Sequence, residues 1–167
     1  MARRGHDSRR YPRRPWVGVG AVVLHQGRVL LVRRGRPPGQ GVWAFPGGVV
    51  RLGETVLAAA QRELAEETGL QAEPIAVVDV YEYIERDGAE RVRYHYVIVE
   101  VLLRVHGSVE PRAADDATAA RWFPLDELTR PDVGPGVPRV VQRALAYAHT
   151  TGGSHDFSTT PAPRAEP

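Results

Sequence analysis

Four glutamates and one arginine crowd one short stretch of this chain: Glu54, Arg62, Glu63, Glu66 and Glu67 all fall between Gly48 and Leu70. The run from Thr55 to Glu67 is rich in strong helix formers and holds no Gly or Pro, which predicts a helix over about 55–68. Thr55 suits the N-cap, and Gly69 stands where a left-handed residue ends a helix. At about 3.6 residues per turn, Glu63 lies over Glu66 and Glu67, beside an apolar stripe of Val56, Leu57, Ala60 and Leu64. Like charges at that spacing destabilise a helix by roughly 0.2–0.5 kcal/mol per pair, and pairing of Arg62 with Glu66 offsets only part of it. A further cation is expected. Hard carboxylate oxygens suit Mg²⁺, with Mn²⁺ as the alternative, and the chain has no Cys for a thiolate site. For the helix taken alone, an ordinary solvated acidic face is the competing reading.

The flanking residues decide between the two. Trp43-Ala44-Phe45-Pro46-Gly47-Gly48 reads as a short apolar strand entering a turn that only small residues make, with exposed carbonyls that can serve as ligands. Val49 to Glu54 is a loop with a second tight point at Gly53. In this strand, loop, helix and loop, Gly48, Glu54, Arg62, Glu63, Leu64, Glu66, Glu67, Gly69 and Leu70 are all in register with one motif, the Nudix box. The segment therefore resembles the Nudix (MutT-like) hydrolases.

The resemblance implies metal-assisted attack of water on a phosphorus of a nucleoside diphosphate linked to another moiety. It makes Glu63 and Glu67 the principal metal ligands, completed by the carbonyl of Gly48 or its neighbour. Glu66 becomes a further ligand or the general base, Arg62 orients the carboxylates, and Glu54 has a secondary role in the same network. The physical logic runs in parallel: a carboxylate cluster repels phosphates, so bound metal must bridge them, acidify the attacking water and clamp the leaving oxygen. Asp115 and Asp116 precede Trp122, where many Nudix enzymes keep a mobile loop with an extra acidic group, and Asp116 is added to the metal set on that ground.

Recognition is less legible. Arg33, with Arg34 and Arg36, precedes the box and can reach phosphates. Trp43 can stack a base, although alternation puts at least one of Trp43 and Phe45 in the core. Tyr83 can line a base or ribose pocket, with cross-strand packing as the plainer role. The strand around 91–100 followed by Ala114-Asp115-Asp116-Ala117 looks like the ADP-ribose pyrophosphatase-like branch, which turns ADP-ribose into AMP and ribose phosphate. The proline that often marks those enzymes about fifteen residues beyond the box is missing. Alternatives are a nucleoside triphosphate pyrophosphatase that removes normal or oxidised dNTPs, a non-catalytic nucleotide-sensing module, and an RNA-directed hydrolase.

Composition bounds these readings. With 167 residues, 43% apolar and 25% charged, the chain suits one core and one domain. No apolar run approaches the ~20 residues of a membrane span, and no secretory h-region follows the N-terminus. The absence of Cys removes disulfides and leaves a cytoplasmic location as the default. All 22 basic residues are Arg, which points to coding bias rather than chemistry. Residues 1–15 read as a disordered Arg-rich arm, 16–149 as the hydrolase domain and 150–167 as a flexible tail. With few aromatics interleaved, the arm reads as a solubilising tail, and nucleic acid is not the expected partner; a nucleotide is. A homodimer stays open.

The elements that must position the box follow from alternation and turns. Strands are expected at Trp16–His25, 28–33, 73–85, 91–105 and 122–123, with hairpin turns at Gln26-Gly27 and Asp87-Gly88. Tyr94, Tyr96, Ile98 and Glu100 share one strand face. A helical turn is expected at 125–129. A C-terminal helix over 139–149 buries Val140, Ala144, Leu145 and Ala148. The fold class is α/β (α+β), an α/β/α sandwich with a mixed sheet between the box helix and the C-terminal helix.

Overall fold

Strand β1 (Trp16–His25) is the spine of the computed structural model, which describes residues 9–150. Its side chains alternate between two cores: Val19, Ala21 and Val23 enter one, and Val22 and Leu24 enter the other. The remaining elements are β2 (Arg28–Arg34), β3 (Trp43–Ala44), β4 (Gly47–Val49), α1 (Val56–Thr68), β5 (Gln71–Arg86), β6 (Val92–His106), β7 (Ala117–Pro124), a 3₁₀ turn (Leu125–Glu127) and α2 (Val137–Thr150). The strands form a mixed sheet in the order β3-β2-β1-β6-β5, with β4 also paired to β1 and β7 to β2. Only β1 and β6 run parallel among these ladders.

Helix α1 covers one face with Ala59, Ala60 and Leu64, against Leu30, Val101 and Leu103. Helix α2 covers the other with Val137, Val140, Val141 and Ala144, against Val29, Leu31, Leu102 and Phe123. The α/β/α sandwich is therefore the observed architecture. The α1 caps match expectation: Thr55 Oγ1 accepts the Ala58 N–H at 3.2 Å, and Gly69 ends the helix at φ 72° with its N–H on the Ala65 carbonyl.

Four local readings change. Gly47-Gly48 is a strand rather than a turn, paired with Gly20 and Val19 of β1. β7 starts at Ala117, well before Trp122, because β2 pairs with the alanine-rich stretch despite its weak strand propensity. α2 starts at Val137, since Pro138 is tolerated in a first turn, and so buries Val137 and Val141 as well as Val140 and Ala144. The β5–β6 connection is organised by Asp87, whose Oδ1 accepts the N–H groups of Ala89 and Arg91, with Glu90 as the left-handed residue (φ 59°). By contrast, Gln26 and Gly27 take φ 47° and 69°, the paired positive values of a two-residue type I′ hairpin.

Part of the expected arm carries contacts: Tyr11 donates its hydroxyl to Asp87 at 3.0 Å and its N–H to the Arg93 carbonyl at 2.9 Å. Residues 1–8 of the arm and 151–167 of the tail lie outside the described residues. No described helix is long and apolar enough to cross a membrane.

Candidate active site

Arg62 is the hub of the site. Its Nε and Nη2 donate to the two oxygens of Glu54 at 2.7 and 2.9 Å, a bidentate pair. Nη1 donates to Glu63 Oε1 and, at 3.1 Å, to Glu66 Oε2, while Nη2 also reaches the Val49 carbonyl. Arg51 adds its backbone N–H to Glu54 and its Nη2 to Glu66 Oε1 at 3.2 Å. Residues from the loop before α1 and from successive turns of α1 are thereby fixed to one cation. The Arg62 hydrogen bonds pull the Glu54 carboxyl down to about 2, and Glu54 in turn holds the guanidinium proton more tightly than usual.

Glu63 and Glu67, four residues apart, face β4. A Cβ on Gly48 would collide with the Glu63 carboxylate, which is why glycine stands there. Glu67 Oε2 accepts the Gly47 N–H at 3.0 Å. Burial raises both carboxyls, Glu67 to about 7, with the Gly47 bond opposing the rise and the charges of Glu63 and Asp116 adding to it. Asp116 lies on the loop that runs alongside the C-terminal end of α1. Its loop is pinned rather than loose: Ala114 N–H bonds the Glu67 carbonyl, Arg112 N–H the Thr68 carbonyl, and Gly35 N–H the Asp116 carbonyl at 2.8 Å. Arg36 Nε pairs with Asp116 Oδ1 at 3.0 Å.

Among the described residues, no three acidic or imidazole side chains already converge as a metal cage. The reason is visible: Glu63 Oε1 is turned to Arg62 and Glu67 Oε2 to Gly47. The donor set nevertheless fits Mg²⁺ or Mn²⁺. Such ions keep most of their waters, need only one or two carboxylates, and balance two adjacent buried acids.

The predicted recognition residues are not gathered in the same way. Arg33 Nε is spent on the Gly41 carbonyl at 3.1 Å, and it is Arg34, on the opposite side of β2, whose charge reaches Glu67. Trp43 is a correction: its ring is buried edge-on against Phe123, centroids 4.9 Å apart, with Arg121 over it, so it is core rather than a stacking platform. Phe45 is buried in the same core. Tyr83 donates its hydroxyl to Glu85 at 2.7 Å, and burial first, then Glu85, holds that hydroxyl protonated well above the usual tyrosine range.

One residue was grouped on a strand face without being given a role. Glu100 is buried, and its Oε2 has no hydrogen-bond partner. Its signal was an acid between Ile98 and Leu102 on a buried alternation, opposite the glycine alternation of Gly18 and Gly20.

Comparison with known proteins identifies the family. Residues 14–144 match the NUDIX domain. An ADP-ribose pyrophosphatase of Methanocaldococcus jannaschii is 37% identical over 116 residues, covering 70% of this chain and 66% of the relative. The 8-oxo-dGDP phosphatase NUDT18 of Mus musculus is 30% identical over 119 residues, covering 70% of this chain and 34% of the relative. The crystal structure of a MutT NUDIX hydrolase from Burkholderia pseudomallei aligns with a TM-score of 0.66 at 34% identity, covering 78% of this chain and 98% of that one. The chain belongs to the NUDIX domain family, whose hydrolases act on diphosphate bonds. It spans about two thirds of the archaeal relative and about a third of the mouse one.

Proposed function

We propose that this chain is a Mg²⁺-dependent pyrophosphohydrolase that cleaves the diphosphate of a nucleoside diphosphate joined to a second group, with ADP-ribose, giving AMP and ribose phosphate, as the first choice. The observation that carries this reading is the Arg62 array, which holds Glu54, Glu63 and Glu66 in one arrangement beside the Gly47-bound Glu67. A divalent ion, when bound, supplies charge neutralisation at the diphosphate and acidifies water. Glu63 and Glu67, with the Gly48 carbonyl and Asp116, are the groups that would hold it. Glu66, whose side chain keeps 36% of its exposure, is braced by Arg62 and Arg51 where a water can reach it, and takes the proton or adds a ligand. Glu54 acts through Arg62, keeping the guanidinium in place.

ADP-ribose is supported by the name of the archaeal relative. Hydrolysis of oxidised guanine nucleotides is the second reading, supported by the name of the mouse relative. The test is hydrolysis of ADP-ribose, 8-oxo-dGDP and 8-oxo-dGTP with Mg²⁺ or Mn²⁺, with products identified. AMP and ribose phosphate from the first substrate is the expected outcome. Binding without turnover of any of them would replace the hydrolase by a nucleotide-sensing module.

A further inference from the structure

On the α2 side of the sheet, the cross-strand register of β1, β6 and β5 sets three rows: Trp16, Tyr96 and Tyr83; Gly18, Ile98 and Tyr81; Gly20, Glu100 and Asp79. β4 adds Val49 beside Gly18 and Gly47 beside Gly20. Gly18, Gly20 and Gly47 therefore form a strip without side chains. A Cβ on Gly18 would sit 3.3 Å from the Gly48 carbonyl and 3.5 Å from Ile98, and one on Gly20 would collide with Glu100 Oε2. Glu100 thus leans over the strip, with 5% of its surface exposed.

The groups facing Glu100 are otherwise committed. Asp79 on β5 is paired with Arg139 at 2.9 Å and Arg143 at 3.6 Å, both from α2. Tyr81 lies beneath Arg139, 5.7 Å from its ring centroid, and a Cβ on Gly136, in the chain leading to α2, would meet that ring at 3.2 Å. Unlike Asp79, Glu100 has no ion pair among the described residues, and its Oε2 has no hydrogen-bond partner. A buried polar atom left this way costs stability, so it calls for an explanation beyond packing.

The strip ends at Gly47, whose N–H is bonded to Glu67. Gly47 therefore adjoins both groups: its N–H meets the Glu67 carboxylate of α1, and its register partner Gly20 lies under Glu100 on the other face. We infer that Glu100 reads the nucleobase, its Oε2 accepting a hydrogen bond from an exocyclic amino group, with adenine as the fitting base and the glycine strip as the floor for the ring. This rests on the nucleotide pyrophosphohydrolase reading above. Burial, then the charge of Asp79, lifts the Glu100 carboxyl to about 8, with Arg139 opposing. A neutral acid at pH 7 offers a carbonyl acceptor and an O–H donor side by side, matching an amino N–H next to a bare ring nitrogen.

The test is equilibrium binding of AMP and of purine riboside 5′-monophosphate, which lacks the amino group, to the full chain with metal chelated. The wild type is expected to prefer AMP by about tenfold, Glu100→Ala to bring the two within about twofold, and Glu100→Gln, which keeps an acceptor, to retain the preference. Gly18→Ala, which adds a Cβ at ordinary to tight contact distance, is expected to weaken both ligands by about tenfold while the circular dichroism stays native. An AMP preference unchanged in Glu100→Ala overturns the inference even if the chain hydrolyses ADP-ribose. A Glu100-dependent preference in a chain that cleaves no nucleotide leaves the base contact standing and removes the hydrolase reading instead.

Discussion

Two carboxyls in this molecule each lie over a glycine of neighbouring strands, on opposite faces of the same sheet. Glu63 lies over Gly48 on the α1 side and is bonded to Arg62; Glu100 lies over Gly20 on the α2 side and keeps one oxygen without a partner. Both are buried and both have raised carboxyls. The difference is one arginine. Where a fixed cation is built in, the acid is held in one position, which suits the catalytic role proposed for it. Where none is, the acid is left to whatever enters, which suits recognition. One sheet can hold both tasks because adjacent residues of β1 point to opposite sides.

The largest effect expected on the α1 side comes from Glu67→Gln, which keeps the shape and the Gly47 contact but removes a charge needed for a divalent ion. Turnover of ADP-ribose with Mg²⁺ is expected to fall by about 10³-fold. Steady-state rates within threefold of wild type would displace the site from this helix. Next, Arg62→Ala frees Glu54, Glu63 and Glu66 together. A loss of about 10²-fold in kcat and about 2–3 kcal/mol in urea unfolding is expected. Arg62→Lys should recover little of either, because an ammonium cannot form the two-pronged bond to Glu54.

On the α2 side the expected effect is on stability. Glu100 keeps its proton to about pH 8 in the folded chain, against an ordinary value of 4.5. Between those values the folded state binds more protons than the unfolded one, so its contribution to stability is full at low pH and is lost as pH rises through 8. Glu100→Gln should therefore raise Tm at pH 8.5 relative to wild type and leave it nearly unchanged at pH 5, read by calorimetry at both values. A lower Tm at pH 8.5 would mean that the ionised group is stabilised by partners, and would erase the contrast with Glu63. The smallest effect on catalysis is expected for Trp43→Phe, within about threefold in kcat/KM, with a fall in Tm from the lost contact with Phe123. A collapse of kcat/KM at unchanged Tm would return Trp43 to the substrate.

What was legible in the sequence divides along the same line. α1, its Thr55 and Gly69 caps and the clustering of Glu63, Glu66 and Glu67 depend on spacings within one helix, and local spacing survives folding unchanged. Spacing alone made Arg62 a partner of Glu66; its place in one network with Glu54 came only from the family resemblance, because that contact depends on the path of the loop between them. The direction of the Trp43 ring was hidden because it is set by β3 pairing with β2 and bridging to Val133, far along the chain. Arg33 and Arg34 could not be told apart until the strand face was known. Glu100 was legible as a member of an alternating face, whereas its missing partner is a property of β1, β5 and α2 together.

The parallel ladder between β1 and β6, from Trp16 beside Tyr96 to Val23 beside Leu103, also bears on how the chain acquires its shape. Pairings between distant segments must close long loops before they are rewarded, and they slow folding relative to local contacts. An N-terminal fragment that stops before β6 contains the whole stretch from Gly48 to Leu70 yet lacks one neighbour of the spine strand and part of the floor under α1. On a ribosome, competence at this site therefore waits for residues made well after the ones proposed to perform the chemistry.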